Sequence, residues 1–160
     1  MNSKNEMKGR LVKSGGSVRG KQGLDYHVGI SADTVGSKAI HMQTVIIAPG
    51  SRAHAHKHTT HETAIYALSG TSGVYHGEKL EHHTFVAPGD YFYIPADVPH
   101  LPYNPSETET VIAVIARTDP NEQESVVLMP ELEKLVPQQF KSPPTAPKED
   151  QKELFETAAP

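Results

Sequence analysis

Between residues 24 and 117 the chain is cut into short β-prone runs by Gly, Pro and Asp, and this punctuation limits the fold more than any other feature. The runs are His41–Ala48, Thr63–Leu68, Gly73–Tyr75, His83–Val86, Tyr91–Ile94 and Thr110–Arg117. Between them stand Ala48-Pro49-Gly50, Ser69-Gly70, His76-Gly77, Ala87-Pro88-Gly89-Asp90 and the Pro95–Pro105 stretch. Strands this short, spaced by turn chemistry, predict an all-β sandwich or barrel. No helical period longer than two turns occurs before residue 120. After it, Pro130–Val136 reads as a short helix, with Pro130 at the first helical position and Pro137 as its stop. Ser125–Met129 reads as one more strand, available to pack on a partner subunit. A Pro-rich extended stretch over 142–147 and a marginal helix over 148–157 complete the expectation.

A chain of 160 residues suits one domain, large enough to bury a core without staples. The expected layout is a flexible leader over 1–23, a β-barrel domain over 24–129, and a short helix with a Pro-rich tail over 130–160. The absence of Cys removes thiolate nucleophiles, iron–sulfur clusters and Cys-based zinc sites, and is compatible with a reducing compartment. A net charge of −4 leaves no electrostatic footprint for nucleic acid. No apolar stretch approaches a membrane span or a secretory signal, so the default reading is cytoplasmic.

Ten His are present, and His54, His56, His58 and His61 fall within eight residues. In an extended chain residues i and i+2 share a face, so His56 and His58 aim together and His54 has the same phase. Two imidazoles on one face can grip one metal ion, and Glu62 offers a carboxylate at the start of the next strand. An H-x-H pair alone also occurs on ordinary surfaces. A second segment, Pro88 to Asn104, gives this one meaning.

The two segments together resemble the cupin superfamily. Gly50, His56, His58, Glu62 and Gly70 meet its first motif; Gly89, Pro95, His100 and Asn104 meet its second, after a gap of 18 residues. The resemblance covers Ala39 to Arg117. It implies a double-stranded β-helix, or jelly-roll barrel, with His56, His58, Glu62 and His100 as ligands facing the lumen. Three imidazoles and a carboxylate suit one divalent transition metal (manganese, iron, nickel, copper or zinc) and leave two positions of a six-coordinate ion open.

The chain departs from the pattern in two places. Seven residues rather than six separate Glu62 from Gly70, so strand phase puts Thr63 where the acid is expected and brings His61 into register. A bulge near Thr63 would return Glu62 to the lumen; without one, His61 rivals it as the fourth ligand. Asp97 replaces the second motif's Gly, at a turn that can require positive φ.

His54 and His61, where not ligands, are candidate proton shuttles because imidazole titrates near neutrality. His82 and His83 alternate, so at most one faces the lumen. Tyr66, Tyr91, Tyr93 and Tyr103 read as core mass, and Arg52 reads as a surface cation near the mouth. The resemblance implies a metal-dependent enzyme acting on a small oxygenated metabolite by dioxygenase, isomerase, decarboxylase or lyase chemistry, with the metal as Lewis acid or oxygen carrier. A non-catalytic metal- or small-ligand-binding cupin is the alternative, because fold does not fix function. Partners expected are a small-molecule ligand or substrate and a second copy in a homodimer, with no nucleic acid and no membrane.

Overall fold

The computed structural model describes residues 8–13, 15–121 and 125–137. In chain order its strands are β1 (Val18–Arg19), β2 (Asp25–Ile30), β3 (His41–Ile47), β4 (His56–His58), β5 (Thr63–Ser69), β6 (Ser72–His76), β7 (His82–Val86), β8 (Tyr91–Ile94), β9 (His100–Tyr103), β10 (Val111–Arg117) and β11 (Val126–Leu128). They form two antiparallel sheets, one ordered β1-β2-β3-β10-β5-β8 and the other β11-β4-β9-β6-β7. Successive strands from β3 to β10 are shared between the two sheets, which is jelly-roll connectivity. No helix among the described residues is long and apolar enough to cross a membrane.

The six expected runs all become strands, with ends shifted by one residue or so. Alternation explains the inner face of the larger sheet. Val45 and Ile47 of β3 and Val111, Ala113 and Ile115 of β10 point inward and pack with Leu24 and Tyr26. The smaller sheet is covered on both faces. Its outer side carries Tyr75, Leu80, Leu101 and Tyr103, sealed by Leu132 and Val136 from the C-terminal segment. That segment is a 3-10 helix over Pro130–Leu135, as its starting Pro and two acids suggest. Gly73 lies against the Tyr103 ring so closely that a Cβ there would overlap it, so glycine is required by space and not by φ.

Three expectations change. β11 pairs with β4 of its own chain, Val126 opposite His58 and Leu128 opposite His56, so its backbone bonds are satisfied without a partner subunit. Tyr91 and Tyr93 are 82% and 56% exposed on the outside of the larger sheet, and only Tyr103 of the four tyrosines is fully buried. Residues 142–157, where the Pro-rich stretch and the marginal helix were expected, lie outside the described residues.

The β9–β10 connection is held by one side chain. The Asn104 amide donates to the carbonyls of Ile47 (2.9 Å) and Glu109 (2.7 Å), and its oxygen accepts from Ser106 N–H (2.9 Å). Asn104 is fully buried, so truncation strands these groups away from water. Asn104→Ala should lower unfolding free energy by about 2–4 kcal/mol in denaturant titrations, since each lost buried bond costs roughly 1 kcal/mol or more.

Candidate metal centre

Strands β4 and β9 are antiparallel neighbours, and their register sets His56 directly opposite His100. The two rings lie 4.2 Å apart between centroids. His58, two residues along β4, shares their face, with its ring 5.1 Å from His56 and 5.3 Å from His100. All three are buried, and one ligand atom from each lies within 4.8 Å of the others, an arrangement that can hold a metal ion.

Backbone carbonyls fix two of the rings. His56 Nδ1 is 2.7 Å from the His54 carbonyl, and His100 Nδ1 is 2.9 Å from the Val98 carbonyl. A carbonyl only accepts, so each Nδ1 carries the proton and each Nε2 keeps its lone pair for an ion. His58 Nδ1 is buried without a hydrogen-bond partner. Turn chemistry completes the frame. Asp97 has φ +67, its N–H bonds the His58 carbonyl at 2.7 Å, and its carboxylate pairs with Lys57 at 2.7 Å. The position thus takes the left-handed conformation that the missing glycine would have supplied.

Burial holds the three imidazoles in the neutral, ligating form. Desolvation lowers His56 well below its usual range, with His100 adding to the effect. His58 is lowered by desolvation and then by the positive charge of Arg117. His100 falls to about 4, again chiefly by desolvation, against the raising effect of its bond to Val98.

Glu62 does not join them. Its side chain is exposed, and its carboxylate accepts the Tyr93 hydroxyl at 2.6 Å on the outside of the barrel. The physical reason is where the extra residue goes. Thr63 stays in register with both Arg117 of β10 and Ile94 of β8, and the bulge falls instead between Ala67 and Ser69. Thr63 therefore faces inward at the acid's expected place, and Glu62 faces out.

His61 comes closer, 2% exposed with its ring 4.5 Å from that of His58. Its Nδ1 is held by Ser125 Oγ (2.8 Å) beside Asp119 (3.7 Å), and it lies outside the three-histidine group. His54 is turned outward, its Nδ1 on Glu133 at 3.0 Å. Regular alternation begins only at His56, because Ala53, Ala55 and His56 are all buried and the chain bends between them. Arg52 pairs with the same Glu133 at 3.4 Å, and His83 bonds the Tyr103 hydroxyl at 3.0 Å on the outer face of the smaller sheet.

The imidazoles open on a mainly apolar cavity between the sheets, with about 50 Å³ of room for water-sized molecules. Thr63, Ser72 and Arg117 are the other polar side chains on its wall, and no acidic residue among those described lines it. Sequence reasoning passed over Arg117, although Val111, Ala113 and Ile115 set an inward phase that it continues.

Residues 43–116 match the family model described as Cupin domain. No curated protein matches the sequence. Among solved structures, the oxalate decarboxylase of Lactobacillus farciminis in its formate complex is similar with a TM-score of 0.60 and 18% identity, over 79% of this chain and 36% of that one. An oxalate decarboxylase variant from B. subtilis gives 0.61 and 17%, over 75% and 32%. KdgF from Halomonas sp. gives 0.58 and 14%, over 72% and 96%. The chain spans about a third of the length of the decarboxylases, and these identities show a shared fold alone.

The lowered imidazoles predict acid sensitivity in the metal-free protein. Unfolded His100 protonates near 6.5 and folded His100 near 4, so between these values the unfolded state binds more protons. Stability should therefore be present above about pH 6.5 and fall towards pH 4, by up to about 1.4 kcal/mol per pH unit for each such histidine. Denaturant midpoints measured across that range should show the slope, and His100→Gln should flatten it.

Proposed function

Residues 43–116 being a cupin domain, we propose that the chain is a metal-dependent enzyme that binds one divalent transition-metal ion through His56, His58 and His100 and acts on a small oxygenated metabolite. One observation carries the reading: three buried imidazoles, two with Nδ1 committed to backbone carbonyls, face one cavity. The donor set fits such an ion, because neutral imidazole suits manganese, iron, nickel, copper or zinc. When bound, the ion supplies Lewis-acid polarisation of a coordinated carbonyl or carboxylate oxygen.

The protein's own share follows from its side chains. The carbonyls of His54 and Val98 orient two rings, and the apolar wall keeps bulk water from the ligand. With only three protein ligands, more of the coordination sphere is left to the ligand than a fourth carboxylate would allow. His61 is the imidazole retained for proton handling, since Ser125 and Asp119 hold Nδ1 while Nε2 is buried without a hydrogen-bond partner. His54, turned to solvent on Glu133, is withdrawn from that role.

We further propose a homodimer, supported by the exposed Met42, Leu68, Tyr91 and Tyr93 on the outside of the larger sheet. Light scattering should then give twice the chain's 17.4 kDa, and a single-chain mass would overturn it.

Elemental analysis of protein purified without chelator or histidine tag should find one transition-metal ion per chain. His100→Ala should lower metal affinity by more than the roughly 10–100-fold typical of outer partners. Glu62→Gln should leave metal content unchanged. If His100→Ala and wild type retain equal metal, the proposed centre is wrong. Oxygen uptake and product analysis with the loaded protein separate turnover from binding alone.

A further inference from the structure

This inference rests on the metal-centre reading above and names the ligand class. The larger sheet places Arg117 of β10 directly opposite Thr63 of β5, so their Cβ atoms are cross-strand neighbours. Both residues are 3% exposed and both line the cavity into which His56, His58 and His100 face. Thr63 stands where the family pattern has a carboxylate, and its hydroxyl is buried without a hydrogen-bond partner. The acid is missing from the protein, and a cation stands beside the vacant role.

Charge decides what such a cavity receives. Neutral imidazoles leave the full charge of a bound divalent ion uncompensated, and the guanidinium adds another positive charge. Among the described residues no acidic side chain on the wall opposes them. Positive charge in a low-dielectric enclosure favours an anion strongly over a neutral molecule of the same shape. A guanidinium offers planar, forked donors that match a carboxylate, and a hydroxyl adds one more donor. Size narrows the choice further. Room of about 50 Å³ for water-sized molecules corresponds to roughly four waters, hence to a ligand of only a few non-hydrogen atoms.

We propose that the cavity takes a small carboxylate, which Arg117 and Thr63 hold beside the three imidazoles in place of the acid the protein lacks. The carboxylate of the ligand then completes the charge balance that Glu62, facing outward, does not.

The test uses the full chain loaded with zinc ion, with zinc uptake measured first. Calorimetric titration then compares acetate, glycolate and pyruvate with acetamide and glycolamide. Wild type should bind each carboxylate at least about tenfold tighter than its amide. Arg117→Gln should abolish that preference, while zinc affinity stays equal or rises because a repelling charge has gone. Thr63→Val, close in shape, should weaken carboxylate binding severalfold, and Arg117→Lys should keep part of the preference. Should Arg117→Gln not fold, the last two variants still decide the matter. Equal affinity for carboxylate and amide in zinc-loaded wild type overturns this inference and leaves the metal centre standing. Failure of wild type to take up zinc or any other divalent transition metal overturns both.

Discussion

The pairing of β4 with β9 is the constraint on which the site depends. These strands are far apart in sequence, and β4 has only three residues, yet its register puts His56 opposite His100. A slip of one residue would turn His56 and His58 to the other face of the sheet, because side chains alternate. The slip is opposed from both sides. On one edge β11 pairs with β4 residue for residue. On the other, His100 is also registered against His76 of β6 through a four-residue ladder. The imidazoles therefore meet because backbone ladders on either side leave them no alternative.

The C-terminal segment belongs to the same device. Glu133 accepts from Ala55 N–H at 3.2 Å, from His54 Nδ1 and from Arg52, the residues that lead the chain into β4. Met129 N–H bonds the Ala55 carbonyl at 2.8 Å, and Leu132 and Val136 cover the outer face of the smaller sheet. This explains why His54 is unavailable to the lumen despite its i+2 spacing. The strand that would have carried its phase does not begin until His56, since the preceding residues are tied to the C-terminal turn.

Much of the fold was legible because its signals are local. Apolar runs between Gly and Pro map onto the strands, and the spacing of His56, His58 and His100 in two motifs identifies the group that converges. The strands missed were those with weak apolar content, His56–His58 and His100–Tyr103, whose residues are there for position as much as for burial. Tyr91 and Tyr93 were read inward because aromatic residues usually are buried, whereas their phase opposes that of Ile94, which is buried. The fate of Glu62 turned on a single bulge. Sequence spacing shows that one extra residue exists, but not whether the sheet absorbs it at Thr63 or between Ala67 and Ser69. That choice is made by β8 and β10, which pair with Thr63 from either side.

Placing the bulge late has a chemical consequence that goes beyond the loss of one ligand. A carboxylate at Thr63 would have faced Arg117 across the strands as a buried ion pair, neutral in sum and costly to desolvate. With threonine there, the guanidinium sits on a wall shared with three imidazoles that burial keeps uncharged. Each piece then depends on another: the imidazoles must be neutral to coexist with Arg117, and Arg117 helps keep them so, as its effect on His58 shows. The same field that discourages protons on these rings also opposes a bare divalent cation. An ion and an anionic ligand thus stabilise each other in this cavity, and occupancy by the two is expected to be cooperative in the linkage sense.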